Sequence, residues 1–148
     1  MIRIFSTKDG TKLKEVRRGA DNAKIFSIAF NKLSTLIAVC SDKGTCHLYN
    51  LETEEKKVEN KTSWFSSLGK VVSYFGSEWS FASYKFTDLD NAPITKCAFV
   101  GENNLVLISI LGDYYLFEIN IESKEMILKE KTKILEIDKS GAGAITAT

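Results

Sequence analysis

Two stretches of this chain repeat one plan of strands and turns, and that repetition limits the possible folds more than any single motif. Leu36-Ile37-Ala38-Val39 begins six positions after Phe30 of Ile28-Ala29-Phe30, and Leu105-Val106-Leu107-Ile108 begins six positions after Phe99 of Cys97-Ala98-Phe99. Each apolar run meets a turn containing glycine, Gly44 or Gly112. Each then gives an aromatic-bearing strand, His47-Leu48-Tyr49-Asn50 or Tyr115-Leu116-Phe117-Glu118. The opening Arg3-Ile4-Phe5-Ser6 resembles the end of the same unit. Phe5 and Tyr49 are 44 residues apart, within the period of about 40–45 residues of WD-type propeller repeats. The next interval, Tyr49 to Phe117, is longer, and the excess falls in one insertion between Leu51 and Ser80.

Four strands per unit at this period predict propeller blades. The strands expected are Ile2 to Phe5, Lys12 to Val16, Lys24 to Phe30, Leu36 to Cys40 and Thr45 to Asn50, with Ser80 to Phe86 resuming after the insertion. Leu36 to Cys40 is apolar throughout, as a strand buried on both faces should be. Turn clusters such as Ser41-Asp42-Lys43-Gly44 separate the runs. A small self-contained β-sandwich is the competing architecture, and the repeat spacing favours blades. The expectation is an all-β, partial propeller: the end of one blade followed by two more. Such a piece cannot close a ring and leaves strand edges unpaired, so the chain alone should be poorly soluble or oligomeric. It is expected to be the C-terminal part of a longer protein or a truncated gene model.

The insertion differs in kind. Glu52 to Lys61 is charged and polar, and the aromatic stretch that follows places Trp64, Leu68, Val72, Phe75 and Trp79 at helical spacing. Gly69 and Gly76 each weaken such a helix by roughly 1 kcal/mol, which makes it conditional on an apolar surface. Bulky aromatics on one face suit an interfacial segment. The bland alternative is a loop folded back over the propeller. Residues 141–148 are small and polar and should fray.

Catalysis finds little support. His47 is the sole histidine, so no histidine-based metal cage is available, and no metal site or cofactor is expected. No nucleophile elbow, zinc-protease helix or phosphate-binding loop occurs. Cys40, Cys46 and Cys97 are odd in number and lack a C-x-x-C pair, which suits free thiols in a reducing compartment. No signal-peptide pattern opens the chain, and no apolar run approaches the length of a membrane span. A formal net charge of +1 predicts neither a nucleic-acid nor a membrane partner, so any such surface must come from local clustering.

The informative cluster is Val16-Arg17-Arg18-Gly19. Successive side chains of a strand point to opposite faces, so adjacent arginines at a blade junction can reach two different grooves. The guanidinium is permanently charged and presents a planar fork suited to phosphate. Alone, the tripeptide Arg-Arg-Gly reads as a solvated surface pair. Its context is more specific. Ile2-Arg3-Ile4-Phe5, Val16-Arg17-Arg18-Gly19, Ile25 through Phe30, Ser41 through Tyr49, Tyr74 through Ala82 and Lys96 through Glu118 together resemble the PROPPIN family. That family's signature is Phe- or Leu-Arg-Arg-Gly, here with Val16 in first place.

The resemblance implies a seven-bladed propeller that is not an enzyme. Residues 1–19 would be the last two strands of the fifth blade with the double-arginine motif. Residues 20–93 would be the sixth blade with its insertion at about 52–79, residues 94–140 the seventh, and 141–148 a tail. It implies two head-group sites for phosphatidylinositol 3-phosphate and phosphatidylinositol 3,5-bisphosphate. By position, Arg3 and Arg17 would belong to the first, and Arg18, Ser41, Thr45 and His47 to the second. Strands that would complete the first site are absent here, so only the second could be whole. Ser41 and Thr45 also read simply as turn caps, and His47 as structural. Trp64, Phe65, Leu68 and Phe75 would form the membrane-contact loop. The implied partners are phosphoinositide head groups, the membrane surface and autophagy proteins, with no nucleic acid. The implied place is the cytoplasm, with recruitment to pre-autophagosomal, endosomal or vacuolar membranes. A propeller that only scaffolds proteins is the alternative. His47 is expected to make anion binding tighter when protonated, near its ordinary pKa of about 6.5.

Overall fold

The computed structural model describes residues 1–52, 78–86, 92–137 and 143–145. Thirteen strands and no helix occur among them. Strands β1 (Ile2–Phe5) and β2 (Lys12–Arg17) form an antiparallel ribbon. A four-stranded antiparallel sheet follows, built from β3 (Ile25–Phe30), β4 (Leu36–Ser41), β5 (Thr45–Asn50) and β7 (Ala82–Lys85) in that spatial order. A second sheet of the same meander type contains β8 (Thr95–Val100), β9 (Asn104–Ser109), β10 (Asp113–Asn120) and β11 (Glu125–Lys133). Sequential four-stranded meanders packed face to face are propeller blades. The architecture is therefore all-β and that of a partial propeller.

Strand β4 is the partition between two cores. All six of its residues are buried, and its alternation sends them to opposite sides. Leu36, Ala38 and Cys40 join Cys46, Leu48, Cys97, Leu105, Leu107 and Phe117 between the two blades. Ile37 and Val39 join Ile4, Val16 and Tyr49 between the first blade and the ribbon. The three cysteines are free and buried. Burial raises the thiol pKa of Cys97, though the Cys40 hydrogen bond contributes most. Neutral buried thiols pack as small apolar groups.

Two turns set the blade geometry. Gly44 has φ +69° and Gly112 has φ +83°, the left-handed region that glycine enters without steric cost. Gly112 also lies against Leu135, whose backbone nitrogen and oxygen would each be 2.8 Å from an added Cβ.

Two elements depart from the sequence reading. Trp79, placed above on a helical face, belongs to the short strand β6 (Glu78–Trp79), which pairs in parallel with β2: Val16 opposite Glu78, Arg17 opposite Trp79. The open edge of β2 offers unpaired backbone groups, and Lys14 adds an ion pair to Glu78 at 2.8 Å. The other insertion residues named above, Trp64, Phe65, Leu68 and Phe75, lie outside the described residues. The tail expected to fray contains β13 (Gly143–Ile145), paired antiparallel with β12 (Leu135–Ile137). Here local backbone pairing outweighs the weak strand propensity of small residues.

Candidate head-group site

The end of β2 sorts the two arginines by simple alternation. Val16 is fully buried in the core shared with the first blade, and Ile2 and Ile4 of β1 pack on the same side. Arg17 must then point away from that core, onto the face that carries Arg3 and Glu15, which are cross-strand partners. Arg3 Nε donates to Glu15 Oε2 at 2.8 Å. That bond, with the charges of Arg3, Lys12 and Arg17, outweighs partial desolvation and holds the Glu15 carboxyl below its ordinary range. The face of Arg3 and Arg17 therefore carries its own carboxylate.

Arg18 follows on the opposite side. Its Nη2 donates to the Asp21 carbonyl at 2.9 Å, which fastens the Arg18–Asp21 turn. A cavity of about 150 Å³ opens there, lined by Ile2, Arg18, Gly19, Asp21, Asn22 and Ile25. A larger recess of about 390 Å³ at the end of β10 carries Glu118 and Glu122, a poor match for phosphate.

Strand β5 presents Thr45, His47 and Tyr49 on one face, and Tyr49 is part of the core beneath the ribbon. The β4–β5 register, Cys40 opposite Cys46, puts Ser41 beside Thr45 on that same face. Arg18 reaches this group electrostatically. The His47 pKa falls to about 4, first through burial and then through the positive charge of Arg18. Burial raises the Tyr49 phenol to about 12, with Arg18 opposing. The unliganded imidazole is thus neutral at pH 7. Its own titration is displaced well below the value of about 6.5 expected from sequence, because the sequence showed neither the burial nor the neighbouring guanidinium.

The hydroxyls are engaged locally. Ser41 is fully buried, and its Oγ accepts the Lys43 amide at 3.4 Å. Thr45 Oγ1 donates to the Lys43 carbonyl at 3.4 Å. Ser109 occupies the corresponding place in the second blade and accepts from the Leu111 and Asp113 amides at 3.2 and 3.1 Å. Shaping this turn is therefore common to both blades. What differs is the neighbour: Thr45 in the first blade, and in the second Asp113, whose carboxylate is paired with Lys133 at 3.1 Å.

Ser41, Thr45 and His47 thus share one face of the first blade, where the Arg18 charge reaches His47, while Arg3 and Arg17 occupy the other side of the ribbon. Three further residues were not identified from sequence. Tyr49 donates its phenol to the Arg17 carbonyl at 3.1 Å, tying the double-arginine motif to β5. Glu15 pairs with Arg3, and Ser80 meets His47 Nδ1 at 3.0 Å. Tyr49 and Glu15 were readable in principle, each two positions along a strand from a named residue. Ser80 was not, since only the fold returns the chain to His47 after the insertion.

No family model matches the chain. It is similar to SVP1-like protein 2 of Pichia angusta, 36% identical over 105 residues, which is 68% of this chain and 29% of that protein. It is also similar to autophagy-related protein 18e of Arabidopsis thaliana, 31% identical over 117 residues, or 77% of this chain and 30% of that protein. Among solved structures, Hsv2 of Kluyveromyces lactis with its loop 6CD complete superposes with a TM-score of 0.69 at 26% identity, covering 89% of this chain and 41% of that one. Fold and groove together define a β-propeller blade pair with a basic junction. The chain belongs to the PROPPIN family. It spans 29% to 31% of the length of the first three curated relatives it matches.

Proposed function

We propose that this chain carries phosphoinositide-binding surface of a PROPPIN-type membrane effector, a binding module rather than an enzyme. The observation that carries the reading is the division of one strand end between two faces. Arg17 shares its side with Arg3, and the Arg18 charge acts on His47, which shares a face of β5 with Thr45; we read these three as lining one groove. A phosphorylated inositol in that groove would meet a guanidinium, a hydroxyl and an imidazole, the donor set that a phosphate monoester requires. Ser41 contributes by fixing the turn that presents Thr45. Arg3 and Arg17 form part of the other site, where an arriving phosphate competes with Glu15 for Arg3. The ligands proposed are phosphatidylinositol 3-phosphate and phosphatidylinositol 3,5-bisphosphate. The setting is autophagy or endosomal traffic, with autophagy proteins as partners and recruitment from the cytoplasm to pre-autophagosomal, endosomal or vacuolar membranes. Trp64, Phe65, Leu68 and Phe75 would enter the bilayer interface once the head groups are engaged.

Changing Arg17 and Arg18 together to threonine should abolish co-sedimentation with phosphatidylinositol 3-phosphate liposomes while circular dichroism stays unchanged. Threonine is compatible with a strand end, so the loss reads charge rather than folding. Undiminished co-sedimentation would remove the lipid reading and leave a scaffold that binds only proteins.

A further inference from the structure

Residues 78–81 form a strap across the junction between ribbon and first blade. Glu78 and Trp79 pair with Val16 and Arg17 on β2. Two residues further on, the Phe81 amide donates to the Leu48 carbonyl of β5 at 3.0 Å. Ser80 is held between these two anchors, and its Oγ lies 3.0 Å from His47 Nδ1. The chain leaving the insertion is thus pinned onto the imidazole that faces Arg18.

We infer that Ser80 is a positioning residue for His47: its hydroxyl donates to Nδ1, fixes the Nε2–H tautomer, and so presents an N–H donor to a phosphate held by Arg18. This rests on the head-group reading above. The physical reason lies in the two neutral tautomers. A neutral imidazole has one donor and one acceptor nitrogen, and the hydrogen bond made by one sets the role of the other. With Nδ1–H, the remaining nitrogen would offer a lone pair to an anion, which repels it. With Ser80 donating to Nδ1, the remaining nitrogen offers a proton instead. Distance alone fits either tautomer, and the direction inferred, with Ser80 donating, is the one that leaves Nε2–H for the anion. Second-layer hydrogen bonds set histidine orientation at metal sites in the same manner.

The chain contains one histidine, so imidazole nitrogen signals assign themselves in a long-range proton–nitrogen correlation spectrum. The full chain, its Ser80→Ala variant and its Ser80→Thr variant would be compared with and without a water-soluble short-chain phosphatidylinositol 3-phosphate. The expected result is an Nε2–H pattern in the wild type, a mixed pattern in Ser80→Ala, and restoration by Ser80→Thr. Head-group affinity should fall roughly three- to tenfold in Ser80→Ala, the range of one lost hydrogen bond, and recover in Ser80→Thr. The strap's backbone bonds do not use the hydroxyl, so the variants should fold. A wild-type chain that binds while Ser80→Ala keeps its tautomer pattern and affinity overturns the inference alone. A tautomer change with unaltered affinity overturns it too. No binding by the wild-type chain overturns the head-group reading, and with it this inference.

Discussion

Acidification from about pH 7 to pH 5 should destabilise the fold through His47. The folded ring has a pKa of about 4, because burial and then the Arg18 charge disfavour the imidazolium. In the unfolded chain the ring returns to about 6.5. Below 6.5 the unfolded state takes up a proton that the folded state refuses until about 4. Stability is therefore complete above 6.5, declines as the pH falls, and levels off below 4. At about pH 5 the two values correspond to roughly 2 kcal/mol by linkage. The ring is only half-buried, and solvent screening reduces this to roughly 1 kcal/mol. The depressed carboxyls of Asp9, Glu15 and Asp113 act in the same direction, but only as the pH approaches the ordinary carboxyl values of 3.8 to 4.5. The interval from 6.5 to 5 thus belongs to His47. Urea titrations at three pH values would read the effect as a midpoint about 0.5 M lower at pH 5. A His47→Gln variant should lose the slope in that interval. A flat wild-type profile, or an equal slope in the variant, would refute the buried, Arg18-coupled imidazole.

Two further outcomes follow from other parts of the chain. Gly112→Ala should lower stability by roughly 2 kcal/mol or more, because alanine strains a backbone at φ +83° and its Cβ meets the Leu135 backbone. Thermal melting with no loss of midpoint would mean that the β11–β12 connection does not pack on this turn. Replacing Trp64 and Phe65 together with serine should weaken liposome binding strongly and leave binding of the soluble head group nearly unchanged, since buried apolar area stabilises at roughly 25 cal/mol per Å². Equal losses in both assays would show that the insertion acts at the head-group site and not at the bilayer.

The blades were legible because propeller strands write themselves as short periodic runs. Leu36 to Cys40 is apolar in a row because both of its faces are covered, and Thr45 to Asn50 alternates because it lines two different surfaces. The opposite directions of Arg17 and Arg18 follow from the same period of two. Trp79 was not legible. Its spacing from the preceding aromatics fits a helix, yet backbone groups on the open edge of β2, remote in sequence, draw it into a strand. Local pattern loses to a distant hydrogen-bonding edge there, whereas Gly143–Ile145 is drawn into a strand by its near neighbour Leu135–Ile137.

Sequence by itself determined the strand plan, the glycine turns, the buried apolar set and the charge at the junction, since each depends on neighbours within a few residues. Tertiary structure alone decided the site's electrical state and its closure. Only packing of the first blade against the ribbon buries His47 beside Arg18 and makes its imidazole neutral. Only the return of the chain after the insertion sets Ser80 on that ring, 33 residues away in sequence. Both depend on contacts between segments far apart in the chain, and desolvation and hydrogen bonding do not exist until those segments meet.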